Sequence, residues 1–314
     1  MKEVKKLLPS EKDFQILKIL HNKVSNIIIN RWPKNDLTLH LFGSSINGLW
    51  THGSDVDLCI FADTDNDYSK MRILANVLRS NNMQRVIPIE NTRIPICKFR
   101  DPTTGLNCDI TVNNRVATFN SELIRCYTEL DKRVRDIILI IKKWSKCRGI
   151  NDSKNHYFSS YSFVLLCLSF FQNIEPPVIP NLQKTVEVPR KILKNQGSGS
   201  FPVTIQYYNE YKKISKYFKT QNTMNHSELL IKFFDYYSHH YDYNNTVCSI
   251  RSDRGILKKN SFKTRFAIED PFIHERNTTS NSREKEKNRI IKEFARAYNI
   301  LKLPNSKLND IFKK

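Results

Sequence analysis

Three aspartates and one small turn are the residues of this chain whose types and spacing could do chemistry. Phe42-Gly43-Ser44-Ser45 is followed by Ser54-Asp55-Val56-Asp57-Leu58-Cys59-Ile60. On a strand, side chains at i and i+2 share a face. Asp55 and Asp57 therefore point together, and Val56, Leu58 and Ile60 point into an apolar interior. Two carboxylates on one exposed edge repel each other. A hard divalent cation relieves that repulsion and leaves positions for water and phosphate; Mg²⁺ and Mn²⁺ are the natural choices. The Gly43-Ser44 turn offers backbone N–H groups and a hydroxyl suited to a triphosphate. A third acid, Asp109, is central in Leu106-Asn107-Cys108-Asp109-Ile110-Thr111-Val112, opposite in face to apolar Cys108 and Ile110. Three acids can serve two metal ions about 3.5–4 Å apart, the arrangement of two-metal phosphoryl chemistry. Each feature alone is commonplace. An Asp-x-Asp is usually a solvated strand end, and Asp109 lies near an Asn113-Asn114 turn. Together they point to nucleotidyl transfer.

These residues need a frame. Leu37 to Leu41 reads as the strand entering the turn. Pro9-Ser10-Glu11-Lys12-Asp13 reads as a helix start with Ser10 as N-cap, and Phe14, Leu17, Leu20, Val24 and Ile27 mark one face of that helix. A strand-rich stretch runs to about residue 118, and a long helical stretch follows with Leu130, Val134, Ile137, Ile138 and Ile141 facing the core. Pro176, Pro177 and Pro180 end the next helix, after Phe171. Gly197-Ser198-Gly199-Ser200 reads as a surface loop, 227–243 as an aromatic helix, and Ile290, Ile291, Phe294, Ala297 and Leu301 as the face of a last amphipathic helix. The fold class expected is α+β and two-lobed: a mixed β-sheet catalytic domain and a mainly helical domain.

Composition names a class of partner. The chain has 51 Lys+Arg against 31 Asp+Glu, formally +20 over 314 residues. Such a balance is the electrostatic footprint of a polyanion, nucleic acid or an anionic membrane. The longest apolar run, Phe163 to Phe171, is too short to span a bilayer, so no membrane association is expected. The N-terminus lacks a secretory apolar region. Seven cysteines, an odd number without a Cys-x-x-Cys, argue for a reducing compartment, cytoplasmic or nuclear, and against structural zinc.

Gly43-Ser44, Asp55-Val56-Asp57 and Asp109 together resemble the signature of the DNA polymerase β-like nucleotidyltransferases. Asn113-Asn114 through Asn120-Ser121, Lys142-Lys143-Trp144-Ser145-Lys146, Ser159-Ser160-Tyr161 and Ile268-Glu269-Asp270-Pro271-Phe272 are similar to motifs of the terminal uridylyltransferases and their poly(A) polymerase relatives. The resemblance covers about residues 10 to 300. It implies a catalytic domain over 33–130 and a discontinuous helical domain over 1–32 and 131–314, with the nucleotide between them. It also implies roles. Asp55, Asp57 and Asp109 would be catalytic and would hold two Mg²⁺ or Mn²⁺ ions. Gly43, Ser44 and Ser160 would bind the triphosphate, with Lys142 and Lys146, which share a helix face at i and i+4. Asn120 would meet the ribose 2′-hydroxyl; Ser121 beside it would also bind the nucleotide and competes with Asn120 for a helix N-cap. Tyr161 would stack on the base.

The base-reading loop departs from the family. Uridylyltransferases generally carry a His a few residues after Asp-Pro-Phe, and adenylating relatives often lack it through a short deletion. Counting from Asp270 without gaps places Arg276 there; His274 comes two positions early and reads as a solvated loop residue. Arg276 is a donor only. Asp270, an acceptor, could complement uracil N3–H or the cytosine amino group. The expectation is pyrimidine addition, UTP first and CTP close behind, to RNA 3′ ends. Adenylation is the alternative. A catalytically silent RNA-binding scaffold and a small-molecule nucleotidyltransferase are the other classes; the acid triad counts against the first and the basic charge against the second. No RNA-binding module is visible, so RNA specificity is expected to come from the basic surface or from a partner protein.

Overall fold

Ser10 opens the first long helix. In the computed structural model its hydroxyl accepts from the Asp13 N–H, and the Asp13 carboxylate reaches back to the Ser10 N–H, a reciprocal cap. The structure describes residues 2–63, 66–92, 94–184, 203, 205–216, 218–258, 262 and 264–313. The predicted Gly197–Ser200 loop lies outside them. The chain divides into two compact units, one holding residues 2–125 and the other, over the described residues, 126–184 and 206–313.

The first unit contains α1 (Lys2–Leu7), α2 (Glu11–Arg31), β1 (Thr38–Phe42), β2 (Val56–Phe61), α3 (Met71–Ser80), β3 (Gln84–Ile89), β4 (Ile96–Arg100), β5 (Asn107–Val112) and most of α4 (Arg115–Leu130). The five strands form one sheet in the order β1-β2-β5-β4-β3. Only β2 and β5 pair in parallel; the other neighbours are antiparallel. Alternation along the strands buries Val56, Leu58, Ile60, Cys97, Phe99, Cys108 and Ile110 on one face. Leu17, Leu20, Val24 and Ile28 of α2 and Leu74 and Leu78 of α3 join the same core. Residues 1–32 were expected with the C-terminal helices. Instead α2 lies with the sheet, because its apolar stripe is part of the sheet's own core. Phe14, expected on that stripe, is 44% exposed and packs on the Trp50 ring at 6.0 Å.

The second unit contains α5 (Lys132–Cys147), α6 (Ser160–Asn173), α7 (His226–Asp235), β6 (Thr246–Cys248), β7 (Ile256–Lys258), β8 (Ala267–Ile268) and α8 (Glu284–Leu301). The predicted long helical stretch is two helices. Asp131 adopts an extended backbone and its side chain caps α5 through the Arg133 N–H at 2.8 Å. Val134, Ile137, Ile138 and Ile141 face inward as expected. Trp144 anchors an aromatic core, stacked on Phe294 at 5.4 Å and edge-on to Phe234 at 5.0 Å. The sequence reading missed the three-stranded sheet β7-β6-β8, whose strands of two or three residues are too short to show a period.

Candidate active site

The turn after β1 is built around one glycine. Gly43 has φ +66°, and a Cβ there would stand 2.2 Å from Asp57 Oδ2. Only glycine fits both the backbone and the space. The Gly43 N–H donates to Ser121 Oγ at 2.7 Å, and Ser121 Oγ donates to the Ala117 carbonyl at 2.7 Å. Ser121 is buried. It was expected to touch the nucleotide; its hydroxyl is spent tying the turn to α4. Ser44 is half-buried in the same turn. A second turn, Thr51 to Ser54, is closed by the Ser54 N–H on the Thr51 carbonyl at 3.0 Å, and it delivers Asp55 exposed at the start of β2.

The sheet register then lines up the acids. Asp57 on β2 is directly opposite Asp109 on β5, and Asp109 is directly opposite Lys98 on β4. Directly opposed residues point to the same side, so Asp57, Asp109 and Lys98 form a row on the face away from the core. Phe42 continues the row at the β1 end and Ile87 at the β3 end. The Asn113 carboxamide, accepting from the Ala62 N–H at 3.0 Å, and the Asn113 N–H on the Ile60 carbonyl at 2.8 Å fix the parallel pair. The Cys108 thiol beneath is pushed well up, first by burial and then by Asp101, Asp109, Asp55 and Asp57. All three predicted acids therefore act on one neighbouring group.

The donor set is hard oxygen on one face and fits a divalent cation in type. It is not gathered: among the described residues no three His, Cys, Asp or Glu side chains stand together as a ligand set. The Lys98 ammonium instead donates to Asp109 Oδ2. Sequence reasoning missed Lys98. The signal was there, because Lys98 alternates with buried Cys97 and Phe99 as Asp109 does with Cys108 and Ile110.

Asn120 on α4 is buried, and its Oδ1 has no hydrogen-bond partner among the described residues. A buried acceptor without a donor costs about 1–3 kcal/mol.

In the second unit, Lys142 is half-buried and Lys146 exposed, both on α5. Ser160, the first residue of α6, exchanges hydrogen bonds with the Asn151 amide at 3.0 and 3.2 Å. Tyr161 donates its hydroxyl to Asp270 Oδ2 at 3.4 Å, and burial raises its pKa far above the usual tyrosine value. Asp270 is fully buried. Its Oδ1 accepts the N–H groups of Phe272 and Ile273, both at 3.1 Å, and Oδ2 also accepts from Arg276 Nη1 at 3.3 Å. The expectation that Asp270 meets a base edge is thus corrected. Four donors within the structure already use it, and it organises the loop. That loop is closed by the Asp270 N–H on the Arg276 carbonyl at 3.0 Å. Glu269 anchors its start through a paired contact with Arg251, both bonds 2.8 Å. Arg276 keeps 35% side-chain exposure, and His274 is exposed.

Comparison with known proteins agrees with both units. Residues 1–129 match the family described as "Poly(A) RNA polymerase, mitochondrial-like, central palm domain" and residues 225–276 match "Cid1 family poly A polymerase". The chain is 32% identical over 273 residues to poly(A) RNA polymerase GLD2-B of Xenopus laevis, covering 83% of this chain and 51% of that protein. It is 28% identical over 307 residues to poly(A) RNA polymerase cid11 of Schizosaccharomyces pombe, covering 96% of this chain and 61% of that protein. It spans about half the length of the first of these relatives. Among solved structures, the Cid1 poly(U) polymerase bound to MgGTP superposes with a TM-score of 0.89 at 27% identity, over 100% of this chain and 97% of that one. A cytoplasmic RNA terminal U-transferase superposes with a TM-score of 0.85 at 27% identity, over 100% and 96%. With the glycine turn, the opposed acids and the Asp270 loop all in the α+β arrangement these proteins share, the chain belongs to the Cid1 family of non-canonical poly(A) and poly(U) polymerases, among the DNA polymerase β-like nucleotidyltransferases.

Proposed function

We propose that this chain adds nucleotides to RNA 3′ ends without a template, releasing pyrophosphate. The observation that carries the reading is the row in which Asp57 and Asp109 stand opposed beside a turn only Gly43 can make. Asp55, Asp57 and Asp109 would hold the metal, Mg²⁺ or Mn²⁺. Bound there as a pair, such ions would lower the pKa of the acceptor 3′-hydroxyl and offset the charge of the leaving pyrophosphate. The Gly43-Ser44 turn cradles the triphosphate, with Ser160, Lys142 and Lys146 as further donors. The Asn120 amide meets the ribose 2′-hydroxyl. Tyr161 offers a stacking face. The 3′ oxygen bonds to the α-phosphorus, the bond to pyrophosphate breaks, and Asp109 helps take the proton.

Base choice falls to Arg276. Its remaining guanidinium N–H groups favour a base edge rich in acceptors, as uracil and cytosine present, over the amino group of adenine. Uridine first, then cytidine, is the preference proposed. Adenylation is the second reading, supported by the names of the sequence relatives, GLD2-B and cid11, both poly(A) RNA polymerases. A protein partner supplying RNA specificity is part of this reading.

The test uses a labelled oligonucleotide RNA, each NTP separately, and Mg²⁺ or Mn²⁺, with product lengths read on a gel. Wild-type protein extends the RNA, and Asp55→Ala, Asp57→Ala and Asp109→Ala each nearly abolish extension. Full activity in any of the three removes that acid from the mechanism, and no extension at all leaves a silent scaffold. Arg276→Ala narrows the gap between UTP and ATP by about 1–3 kcal/mol. Faster addition of A than of U or C by wild-type protein selects the adenylating reading.

A further inference from the structure

The row of opposed residues continues past the acids. Lys98 follows Asp109, and Ile87 follows Lys98, 54% exposed. Arg100 shares the Lys98 face two residues on and is likewise half-buried. The two ends of the row differ in chemistry. The β1–β2 end carries the Gly43-Ser44 turn. The β4–β3 end carries cations and an exposed apolar side chain. In an in-line displacement the attacking and leaving oxygens lie on opposite sides of the phosphorus. With the triphosphate at the turn, the β4 side is left for the strand that attacks.

We propose that Lys98 binds the terminal phosphodiester of the RNA acceptor, and that a divalent cation at Asp109 frees it to do so. The inference rests on the nucleotidyl-transfer reading above. Lys98 is then a positioning residue, acting on the acceptor and not on the reacting atoms. Its ammonium occupies an oxygen of the carboxylate that would hold the divalent cation. Whatever takes Asp109 releases a cation next to the place where the 3′ end must lie. Linkage then requires that the metal tighten RNA binding and that RNA tighten metal binding by the same factor. A Lys98 that only neutralised Asp109 within the sheet would produce no such coupling.

The experiment measures fluorescence anisotropy of a 5′-labelled single-stranded oligonucleotide RNA without NTP, across a salt series, in EDTA and in Ca²⁺. Wild-type protein, Lys98→Met and Lys98→Arg are compared, with thermal melts alongside. Wild-type protein binds RNA more tightly in Ca²⁺ than in EDTA. Lys98→Met loses that gain, and its log–log salt slope in Ca²⁺ is shallower by about 0.7, the loss of one phosphate contact. In EDTA the two bind alike. Lys98→Arg retains the gain. In extension assays Lys98→Met raises KM for RNA more than it lowers kcat. The proposal is overturned if Lys98→Met keeps the Ca²⁺ gain and slope, or if it weakens RNA binding equally in EDTA. If Lys98→Met melts early, the Lys98→Arg comparison decides: loss of the gain with the fold and charge kept also overturns it. Extension without coupling rejects this inference alone, and coupling without extension rejects the reaction alone.

Discussion

At the residue scale, Gly43 and Asp270 hold geometry that no other residue type supplies. At Gly43 an added methyl group meets the Asp57 carboxylate at 2.2 Å on a backbone of φ +66°. Gly43→Ala should therefore lose nucleotide addition and destabilise the protein by about 1–3 kcal/mol, the range for a strained backbone. Gel-based extension and urea unfolding check both effects; an active, stable variant contradicts the assignment. Asp270 serves two backbone N–H groups, Tyr161 and Arg276. Asp270→Ala strands two N–H donors, while Arg276, partly exposed, can turn to water. The expected cost is about 1–3 kcal/mol, the penalty for unsatisfied buried donors. Discrimination between NTPs should fall with it while RNA affinity is kept. Unchanged discrimination would separate the loop from base choice.

At the element scale, short pieces of chain position the site. The β2–β5 pair is parallel, so its strands need a crossover, and α3, β3 and β4 supply it. That crossover brings Asp57 and Asp109, 52 positions apart in the chain, to one register. In the second unit, β6 carries β8 and with it the entry to the Asp270 loop. The turn into β7 packs on α6 through Gly255, where a Cβ would stand 2.5 Å from the Ser169 carbonyl oxygen and φ is +70°. The neighbour is backbone and cannot move aside. Gly255→Ala should lower the melting temperature clearly, whereas Gly53→Ala, with open space around it, should pay only the strain of its φ. Equal melting shifts for the two variants would show that the approach to α6 does not matter.

At the scale of the whole molecule, charge and thiol placement make two predictions. With a formal +20, RNA affinity should fall steeply with salt, by a log–log slope of about 0.7 for each phosphate contacted. A nearly flat dependence between low and moderate salt would mean that the basic balance is not a footprint of RNA. No described helix is long and apolar enough to cross a membrane. Six of the seven cysteines are buried and Cys147 is partly exposed. Burial pushes the Cys59 and Cys97 thiols up to about 11 and Cys248 up to about 12. A thiol whose pKa is raised stays protonated, and so unreactive, until the pH approaches that value. A thiol reagent at neutral pH should therefore label Cys147 first, by peptide mass mapping, and the others only on unfolding.

The sequence by itself determined what short-range pattern can carry. The i, i+2 spacing of Asp55 and Asp57, and the alternation of Asp109 with Cys108 and Ile110, fixed which side chains face away from the core, because a strand has a period of two. The helix faces of α5 and α8 were legible for the same reason at the helical period. What sequence could not determine depends on which strands become neighbours. Lys98 meets Asp109 only because β4 pairs with β5 in that register. Ser121 belongs to the Gly43 turn only because α4 passes behind it. Asp270 turns inward because its own loop closes on Arg276 and supplies the donors. The apolar stripe of α2 could have packed on the C-terminal helices or on the five-stranded sheet, and long-range packing chose the sheet.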